Sequence, residues 1–541
     1  MPQLPDRPNA AHLKKQAKDL LRSYRGGDAD AIARFARALP SARNLSPADI
    51  IARAFRLHDA QSCIAREYGF ASWDELTTQV AVQSLRRGDW LALAYGGDVT
   101  GSLNPARPRV AARVLLDAPD LANDDPYAAC AVGNLTILRQ TAAADPGWVN
   151  CPGGRFKLPP LVAVTHSRLG QLPEFRERLY QSAQFLLQAG TDPNQAIGNR
   201  FPPASLDAPD ESGPLSALYG AAGVNRDPAL TSLLLDAGAN PNDGESLYHS
   251  LENPDCTRML LARGALISGT NALRRSLDMA DPTALELLLA HGGDPNEPAS
   301  GPPTSDWGAP LLRGIALRRS PRHIQALLMA GADATAHTPA GISAYRLALQ
   351  VGMPEVAELL RAAGAAEPLS EAEEFVAACA RGDAVEARRI QRRRPDLPGS
   401  LSEAQLRLLP DTVAWGDSAT ARVMVELGWP IGVRGGDWKA SALNLAMFRG
   451  DAALTEFLLD HGASWREEHG YGDNVIGGLS WASINEPMED GDWVACAQAL
   501  VAHGLPAAQR DPANAEIVVL DGRRYRFSAD VTEVLLGALP D

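Results

Sequence analysis

Long apolar segments are missing from this chain of 541 residues. No apolar run approaches the roughly 18 residues that a membrane-spanning helix needs. The first seven residues, Met1–Arg7, do not show the basic and then apolar profile of a signal peptide. We therefore expect no membrane association and a cytoplasmic location.

Cysteine is scarce and scattered. No two of the six cysteines lie close enough for a C-x-x-C pair, so neither a disulfide framework nor a zinc site is indicated. Free cysteine is usually buried, and we expect these thiols to be reduced and to lie in the core. The six residues are Cys63, Cys130, Cys151, Cys256, Cys379 and Cys496.

The motifs of common catalytic and nucleotide-binding sites are absent as well. The chain contains no G-x-x-x-x-G-K-[ST], no G-x-G-x-x-G after a strand, no H-E-x-x-H and no G-x-S-x-G. The sequence therefore nominates no catalytic residue, no cofactor and no metal, and the chain is predicted not to be an enzyme. An acidic stretch at 486–492 offers oxygen ligands but lacks the EF-hand spacing, and we interpret it as a solvated loop.

Lysine is rare, and positive charge is in the minority. Of 51 basic residues only five are lysines, and 65 acidic residues leave a formal net charge of −14. Because phosphate is repelled by a net acidic surface, nucleic-acid binding is disfavoured. Two basic segments, the N-terminal helix within 1–83 and the run Arg388–Arg394, keep a weak nucleic-acid association open as an alternative. We interpret both as solvated helix faces.

A period near 33 residues runs through most of the chain. The pairs Gly382-Asp383, Gly416-Asp417 and Gly450-Asp451 follow one another at intervals of 34 residues. Each glycine is expected to end a helix of small residues in the left-handed conformation, and each aspartate to cap the next helix. A single hydrophobic core stops growing at roughly 250–300 residues, so a chain of this length is expected to be divided. The period indicates that it is divided into stacked repeats of two helices each.

The segments that follow the second helices carry a family resemblance. They read Gly190-Thr191-Asp192-Pro193-Asn194, Gly238-Ala239-Asn240-Pro241-Asn242 and Gly292-Gly293-Asp294-Pro295-Asn296. Together with the period, they resemble the ankyrin-repeat family, whose tail is Gly-Ala-Asp-x-Asn. The resemblance covers residues 84–509 and implies a mainly α ankyrin-repeat solenoid of helix-turn-helix units with finger loops. The family's Thr-Pro-Leu-His is nowhere intact, so irregular repeats are expected.

Two flanks complete the predicted organisation. Residues 1–83 are predicted to be an N-terminal helical module, with an N-cap at Ser72 and a capping-box Glu75. Within it, the run Asp59–Trp73 resembles the N-terminal region of a group of bacterial ankyrin-repeat proteins. Residues 510–541 are predicted to form a β-hairpin with an Asp-Gly turn and then a helix. Because the open end of a solenoid must be covered, we expect this segment to be the C-terminal cap.

Insertions and aromatic residues indicate where a partner would bind. Extra residues interrupt the period at 197–212, 297–308 and 486–492, and insertions in repeat proteins often map to the binding face. Tryptophan, tyrosine and arginine are the usual anchors of protein interfaces. Trp415 and Trp481 lie inside helical stretches and are predicted to be core. The candidate partner-binding residues are Arg200, Phe201, Trp307, Trp438, Trp465, Tyr471 and Trp493.

The resemblance implies a scaffold that binds one or more proteins through the concave face formed by fingers and first helices, without catalysis. We expect a monomer that needs no cofactor. Two other function classes stay open, because a fold does not define a function. One is an enzyme or ligand sensor with a site in the N-terminal module or the insertions, and the other is nucleic-acid association through the basic segments.

Overall fold

The computed structural model describes residues 4, 10–43, 45–84, 90–297, 308–436, 438–512 and 514–537. The chain divides into two compact units, Met1–Ser300 and Gly301–Asp541. Strands are few and short, so the predicted mainly α fold is confirmed. Within the described ranges no helix combines the length and apolarity that crossing a bilayer requires.

The first unit is built from helices and one two-stranded sheet. Helices α1 to α18 are Ala10–Arg25, Ala29–Ala38, Pro47–Ala52, Leu57–Glu67, Trp73–Ser84, Trp90–Ala94, Gly97–Thr100, Pro108–Asp117, Pro126–Val132, Leu135–Ala144, Pro160–Thr165, Pro173–Gln188, Ala217–Tyr219, Pro228–Asp236, Ser246–Ser250, Pro254–Ala262, Ala272–Ser276 and Thr283–Ala290. Short 3-10 turns span Pro40–Ala42, Pro119–Ala122, Pro146–Asn150 and Arg168–Gln171, and a π-helical turn spans Gly220–Val224. Strands β1 and β2, Ala196–Asn199 and Asp210–Ser216, pair antiparallel.

The second unit carries the remaining elements. Helices α19 to α32 are Pro310–Ala316, Pro321–Met329, Ala344–Gln350, Pro354–Ala362, Glu371–Ala380, Ala384–Arg393, Glu403–Leu406, Leu408–Ala414, Ser418–Glu426, Ala442–Arg449, Ala452–Asp460, Val475–Asn485, Trp493–Ala502 and Ala529–Gly537. Strands β3 to β7 are Arg434–Gly435, Ala440–Ser441, Gln509–Asp511, Asn514–Leu520 and Arg523–Tyr525. They form a two-stranded sheet, β3-β4, and a three-stranded sheet, β5-β6-β7.

Helices α1 to α5 enclose a hydrophobic core of their own. Its buried members include Leu13, Phe35 and Ile64. The predicted cap is present, since Ser72 Oγ accepts the Glu75 N–H at 3.1 Å. The Glu75 carboxylate reaches one residue further back than a standard capping box and accepts the Ala71 N–H at 2.8 Å.

Pairs of helices recur in both units. In the first unit α9, α11, α13, α15 and α17 pack in succession, and each contacts its own second helix, α10, α12, α14, α16 and α18. In the second unit α19, α21 and α23 pack in succession, as do α26, α28 and α30, with α20, α22, α24, α27, α29 and α31 as their second helices. Small side chains let first helices approach closely, and Ala128, Ala129, Cys130 and Ala131 are all buried. The expected pairing of helices within each period is therefore present.

The Gly-Asp pairs act as the sequence predicts. Asp383, Asp417 and Asp451 cap α24, α27 and α29 by accepting the backbone N–H three residues on, at 3.0, 3.0 and 2.9 Å. Gly450 has φ +67°, and a Cβ there would lie 2.6 Å from Gly491 Cα. Only glycine fits that position, because it needs both the left-handed backbone and the close approach.

Near the C-terminus, strands β6 and β7 pair antiparallel as a hairpin. Leu520 pairs with Arg523 across the Asp521-Gly522 turn. Strand β5, which the sequence did not predict, adds a third strand through Gln509 and Val519. Side chains of β6 and α32 belong to the same buried cluster as the preceding helices, which favours the capping role predicted for this segment.

Five of the six cysteines are buried thiols, as expected. Cys151 is exposed and corrects that expectation, since it lies in the loop after the 3-10 turn 146–150. Burial raises the pKa of Cys63, Cys379 and Cys496 to about 12, so these thiols stay protonated. They are packing groups and not nucleophiles.

Candidate functional site

Five aromatic rings form a continuous row in the second unit, which we call the aromatic surface. The ring centroids of Trp481 and Phe448 lie 5.4 Å apart and are nearly parallel. Phe448 meets Trp438 edge to face at 5.1 Å. Trp438 lies 5.8 Å from His469 and 6.5 Å from Tyr471, and His469 lies 5.9 Å from Tyr471. These are ordinary distances for interacting rings.

Two loops and two first helices place these rings. Trp438 lies in the turn between β3 and β4, and Phe448 lies in α28, which follows β4. His469 and Tyr471 lie in the next loop, which is closed by a bridge between Glu468 and Asn474. Trp481 lies in α30, directly after that loop. The rings thus come from corresponding positions of two consecutive repeats, as fingers and first helices.

Hydrogen bonds hold the two fingers together. The Gly470 N–H donates to the Trp438 carbonyl at 2.6 Å. A Cβ at position 470 would lie 2.8 Å from that same oxygen, so glycine permits the approach. The Asn444 side chain donates to the Glu467 carbonyl at 3.1 Å, and Ser441 Oγ donates to the Glu467 carboxylate. Hydrogen bonds therefore hold the two loops that carry the aromatic surface together in the absence of a partner.

Three side chains of this region are exposed although they are large and apolar. Tyr471 is 79% exposed, Trp481 is 52% exposed and Ile484 is 43% exposed. Trp438 and Phe448 are half-buried and lie between Trp481 and Tyr471 in the row of rings. Scattered exposed apolar residues are normal, but a contiguous cluster of them marks an interaction site. Rings of this kind supply large contact area at small cost in conformational entropy.

Burial and internal pairing affect several ionisable groups beside the aromatic surface. Burial lowers the pKa of His469, so its imidazole is uncharged at neutral pH. Burial raises the pKa of the Glu467 carboxyl. Asp473 pairs with Arg523 at 3.2 Å and lies 3.4 Å from the Tyr525 hydroxyl. The exposed Arg434 and Lys439 lie beside these groups, so the surface presents aromatic rings together with some positive charge.

Two of the candidate partner-binding residues belong to the aromatic surface. Trp438 and Tyr471 lie in the row, on neighbouring fingers. Phe201 is 50% exposed but lies in the first unit, in the insertion between β1 and β2. Trp307 lies outside the described residues. The structure therefore brings together two of the seven residues nominated from the sequence.

The structure corrects the prediction that Trp465 and Trp493 bind a partner, because each side chain is only 4% exposed. Trp465 packs in the core of the second unit, with the Arg466 guanidinium 3.9 Å above its ring. The Trp493 indole N–H donates to the Met447 carbonyl at 3.0 Å. Both side chains hold repeats together and offer almost no surface to a partner.

The prediction that Arg200 binds a partner is also corrected, because this side chain is buried. It is 5% exposed, and its guanidinium donates to the carbonyls of Val99 at 3.0 Å and Phe156 at 2.6 Å. Burial lowers the pKa of this guanidinium. Arg200 therefore ties the β1-β2 insertion to the body of the first unit and does not face a partner.

Trp481 is the important residue that sequence reasoning missed, since it was predicted to be core. The buried side chains of α30 are Val475, Ile476, Leu479, Ala482 and Ser483. At 3.6 residues per turn these lie on one face of the helix, while Trp481 and Ile484 fall on the opposite face. The helical period of α30 thus indicated that Trp481 is exposed, although a tryptophan inside a helical stretch is more often buried.

The basic run on α24 is not a free cationic surface. Its arginines are exposed, but each of four has an acidic partner, and such pairs are typical of a solvated helix face. The pairs are Arg388–Glu426 at 3.2 Å, Arg389–Glu386 at 2.5 Å, Arg393–Glu371 at 3.0 Å and Arg394–Asp396 at 2.7 Å. This arrangement supports the interpretation of a solvated face over nucleic-acid binding.

A row of polar rings lies in the first unit. The centroids of His166 and Tyr219 are 5.6 Å apart, and those of Tyr219 and His249 are 5.1 Å apart. Burial lowers the pKa of His166 to about 4 and raises that of Tyr219.

Across the part of the chain that is described, no group of three or more His, Cys, Asp or Glu residues is placed to hold a metal ion.

One small cavity lies in the second unit, beside α21 and α23. Its volume of about 200 Å³ is below the roughly 300–1,000 Å³ of small-molecule sites. The Arg346 guanidinium in its wall pairs with Glu367 and Glu373, each at 3.2 Å. The lining residues are Ile342, Arg346, Leu349, Gln350, Leu369, Glu373, Val376, Ser402 and Gln405.

Fold and site together define a protein of packed helix pairs with an exposed aromatic surface. No protein-family model matches the chain. No curated protein matches it either. Among solved structures, the chain is similar to the crystal structure of the human ASB11 ankyrin repeat domain, at 18% sequence identity and a TM-score of 0.21. That similarity covers 44% of this chain and 99% of the other.

Proposed function

We propose that this chain is a protein-binding scaffold and that the aromatic surface of the second unit contacts the partner. The observation that carries the proposal is the continuous row of rings from Trp481 to Tyr471, with Tyr471 79% exposed. Tryptophan and tyrosine are enriched among the few residues that dominate the binding energy of protein interfaces. Among the described residues, no group of reactive side chains supports another function as strongly as these rings support partner binding.

The architecture that we propose for this scaffold is an ankyrin-repeat solenoid. Residues 84–509 would form the repeats, residues 1–83 an N-terminal helical module and residues 510–541 the C-terminal cap. Helix pairs that pack in succession, with fingers preceding α28 and α30, support this organisation. We propose a cytoplasmic monomer that binds its protein partner without a cofactor.

Binding would proceed with little rearrangement of the surface. The fingers are linked to each other by the Gly470–Trp438 hydrogen bond and to α28 by Ser441 and Asn444. A surface ordered in advance loses less conformational entropy on association. We therefore expect affinity to depend on the exposed rings and not on the ordering of a loop.

The test is site-specific photo-crosslinking in the native cell extract. A benzoylphenylalanine placed at position 471 should crosslink a discrete partner, and Trp481→Ala should reduce the yield about tenfold or more, because removal of a central aromatic anchor typically costs about 2 kcal/mol or more. The thermal midpoint should fall by only a few degrees, since Trp481 is half exposed.

The matched control places the same photo-reactive group at position 329, where Met329 is 81% exposed on α20. That position should give no discrete product. A partner crosslinked equally at 471 and 329, or captured undiminished by the Trp481→Ala protein, would refute the aromatic surface as the binding site. Phe201→Ala in the same assay reports whether the insertion of the first unit contributes separately.

A further inference from the structure

We infer that His469 makes the aromatic surface sensitive to pH, because protonation of its imidazole releases the backbone of Tyr471, the residue with the most exposed ring of the row. This inference rests on the proposed function and concerns the regulation of the same surface. It follows from one hydrogen bond, from the enclosure of the imidazole and from the charged groups around it.

The imidazole of His469 accepts a hydrogen bond from the backbone of the residue that carries the exposed ring. The Tyr471 N–H donates to His469 Nδ1 at 3.3 Å. A backbone N–H can only donate, so Nδ1 holds a lone pair and the neutral ring carries its proton on Nε2. Protonation would place a second proton on Nδ1 and set two donors against each other. The charged imidazole therefore cannot hold the Tyr471 backbone where it lies.

The bond belongs to a short loop whose other hydrogen bonds hold the neighbours of Tyr471. The His469 N–H donates to the Asp473 carbonyl at 2.8 Å, and the Gly472 N–H donates to the His469 carbonyl at 3.0 Å. The Gly470 N–H donates to the Trp438 carbonyl at 2.6 Å. Of these bonds only the one to Nδ1 involves the Tyr471 amide, so its loss frees the part of the loop that carries the exposed ring.

The imidazole is enclosed, and its surroundings disfavour a charge. It is 9% exposed, and the rings of Trp438 and Tyr471 lie 5.8 and 5.9 Å from it. Burial lowers the pKa of His469, since a charged imidazole would lose hydration, while Asp473 opposes this effect and Arg434 reinforces it. The folded protein therefore keeps the neutral form at neutral pH. The charged form appears as the pH falls through a value below 6.5.

Other titratable groups near the imidazole define the control that is needed. They are Glu467, Glu468 and Asp473 from its own loop, Arg434 and Lys439 from β3 and the β3-β4 turn, and Arg523 and Tyr525 from β7. Burial raises the pKa of the Glu467 carboxyl, so this group also takes up a proton as the pH falls. Its carboxylate accepts Ser441 Oγ in the same pair of fingers. A variant that removes only the titration of His469 is therefore required.

The test measures amide hydrogen exchange of the free, full-length protein by mass spectrometry, over a series from about pH 8 to about pH 4.5. The exchange rate of residues 470–474 is divided at each pH by that of an unstructured peptide of the same sequence. Protection of this segment should fall about two- to tenfold as His469 becomes charged, which corresponds to the loss of one amide hydrogen bond. The midpoint of the decrease should lie below pH 6.5.

The matched variant is His469→Asn, because its amide oxygen can accept the Tyr471 N–H and does not take up a proton in this range. Protection in this protein should not change over the pH series, although Glu467 and His166 are still present. His469→Gln serves as a second variant of the same kind. His461→Gln, which removes an exposed imidazole directly after α29, should leave the response of the native protein intact.

Unchanged protection in the native protein, or an equal decrease in the native and His469→Asn proteins, overturns the inference. The consequence for binding is measured by crosslinking from position 471, whose yield should fall between about pH 7.5 and about pH 5.5 in the native protein and not in His469→Asn. A yield that stays constant while protection falls also overturns the inference.

Failure of the proposed function gives a different result. If protection responds as expected but position 471 captures no partner at any pH, the loop responds to pH and the proposed function is wrong. A Trp481-dependent crosslink from a protein whose protection does not respond leaves the proposed function standing and overturns only the role of His469.

Discussion

His166 shows what burial does to a single titratable residue. It follows α11, is 1% exposed, and its Nδ1 lies 3.4 Å from the Thr165 hydroxyl oxygen. Burial lowers its pKa from 6.5 to about 4, partly opposed by Asp98 and reinforced by Arg168 and Arg200. The folded protein thus holds the imidazole neutral where the unfolded chain would already bind a proton.

The first unit should therefore lose stability as pH falls from 6.5 towards 4, and gain nothing further from this residue above pH 6.5. A pKa change from 6.5 to about 4 corresponds to about 3 kcal/mol. Urea unfolding at pH 7 and pH 4.5 should show a drop about 2–3 kcal/mol larger for the native protein than for His166→Gln. Equal drops in the two proteins would show that His166 is not the group responsible.

At the scale of one element, α30 carries two adjacent glycines with different surroundings. A Cβ at Gly478 would meet nothing within 4 Å, whereas a Cβ at Gly477 would overlap the Asp473 carboxylate. Asp473 in turn pairs with Arg523 at 3.2 Å. One glycine therefore only weakens the helix, and the other makes room for a contact with the C-terminal sheet.

Gly478→Ala should raise the free energy of unfolding by about 0.5–1 kcal/mol, because alanine loses less backbone entropy in a helix. Gly477→Ala should give no gain, since the same benefit is offset by displacement of Asp473. Chemical denaturation of the two variants side by side measures the difference. An equal gain from both would mean that the Asp473–Arg523 pair contributes nothing to stability.

At the scale of the whole molecule, helix α32 packs on α31, the last helix of the repeats that precede it. Val518, Val531 and Leu535 are at most 1% exposed and share a buried cluster with Leu500 and Leu505. Without this segment the last helix pair would expose apolar surface, which a stack of repeats cannot tolerate at its ends.

Deletion of 509–541 should lower the thermal midpoint by about 10 °C or more, because several buried side chains worth about 1.5–3 kcal/mol each lose their contacts. Leu535→Asp should reproduce much of the loss within the full-length chain. Arg523→Ala, which removes an exposed ion pair, should change stability by less than about 1 kcal/mol. A truncated protein as stable as the full chain would exclude a capping role.

The sequence predicted features that depend on neighbours in the chain. Asp383, Asp417 and Asp451 cap helices because a capping bond spans only three residues. The Asp521-Gly522 turn likewise sets the pairing of Leu520 with Arg523. The candidate site was harder to predict, since Trp438 and Tyr471 were nominated as partner-binding residues while Trp481, which lies in the same row of rings, was assigned to the core.

By itself, then, the sequence determined the helical period, the caps and the turns, all of which arise from interactions a few residues apart. Only the tertiary structure decided which aromatic residues are available to a partner. Trp465 and Tyr471 lie six residues apart in one finger, yet the first is 4% exposed and the second 79%. Trp465 belongs to the buried cluster of the second unit and Tyr471 does not, and burial of this kind depends on residues distant in the chain.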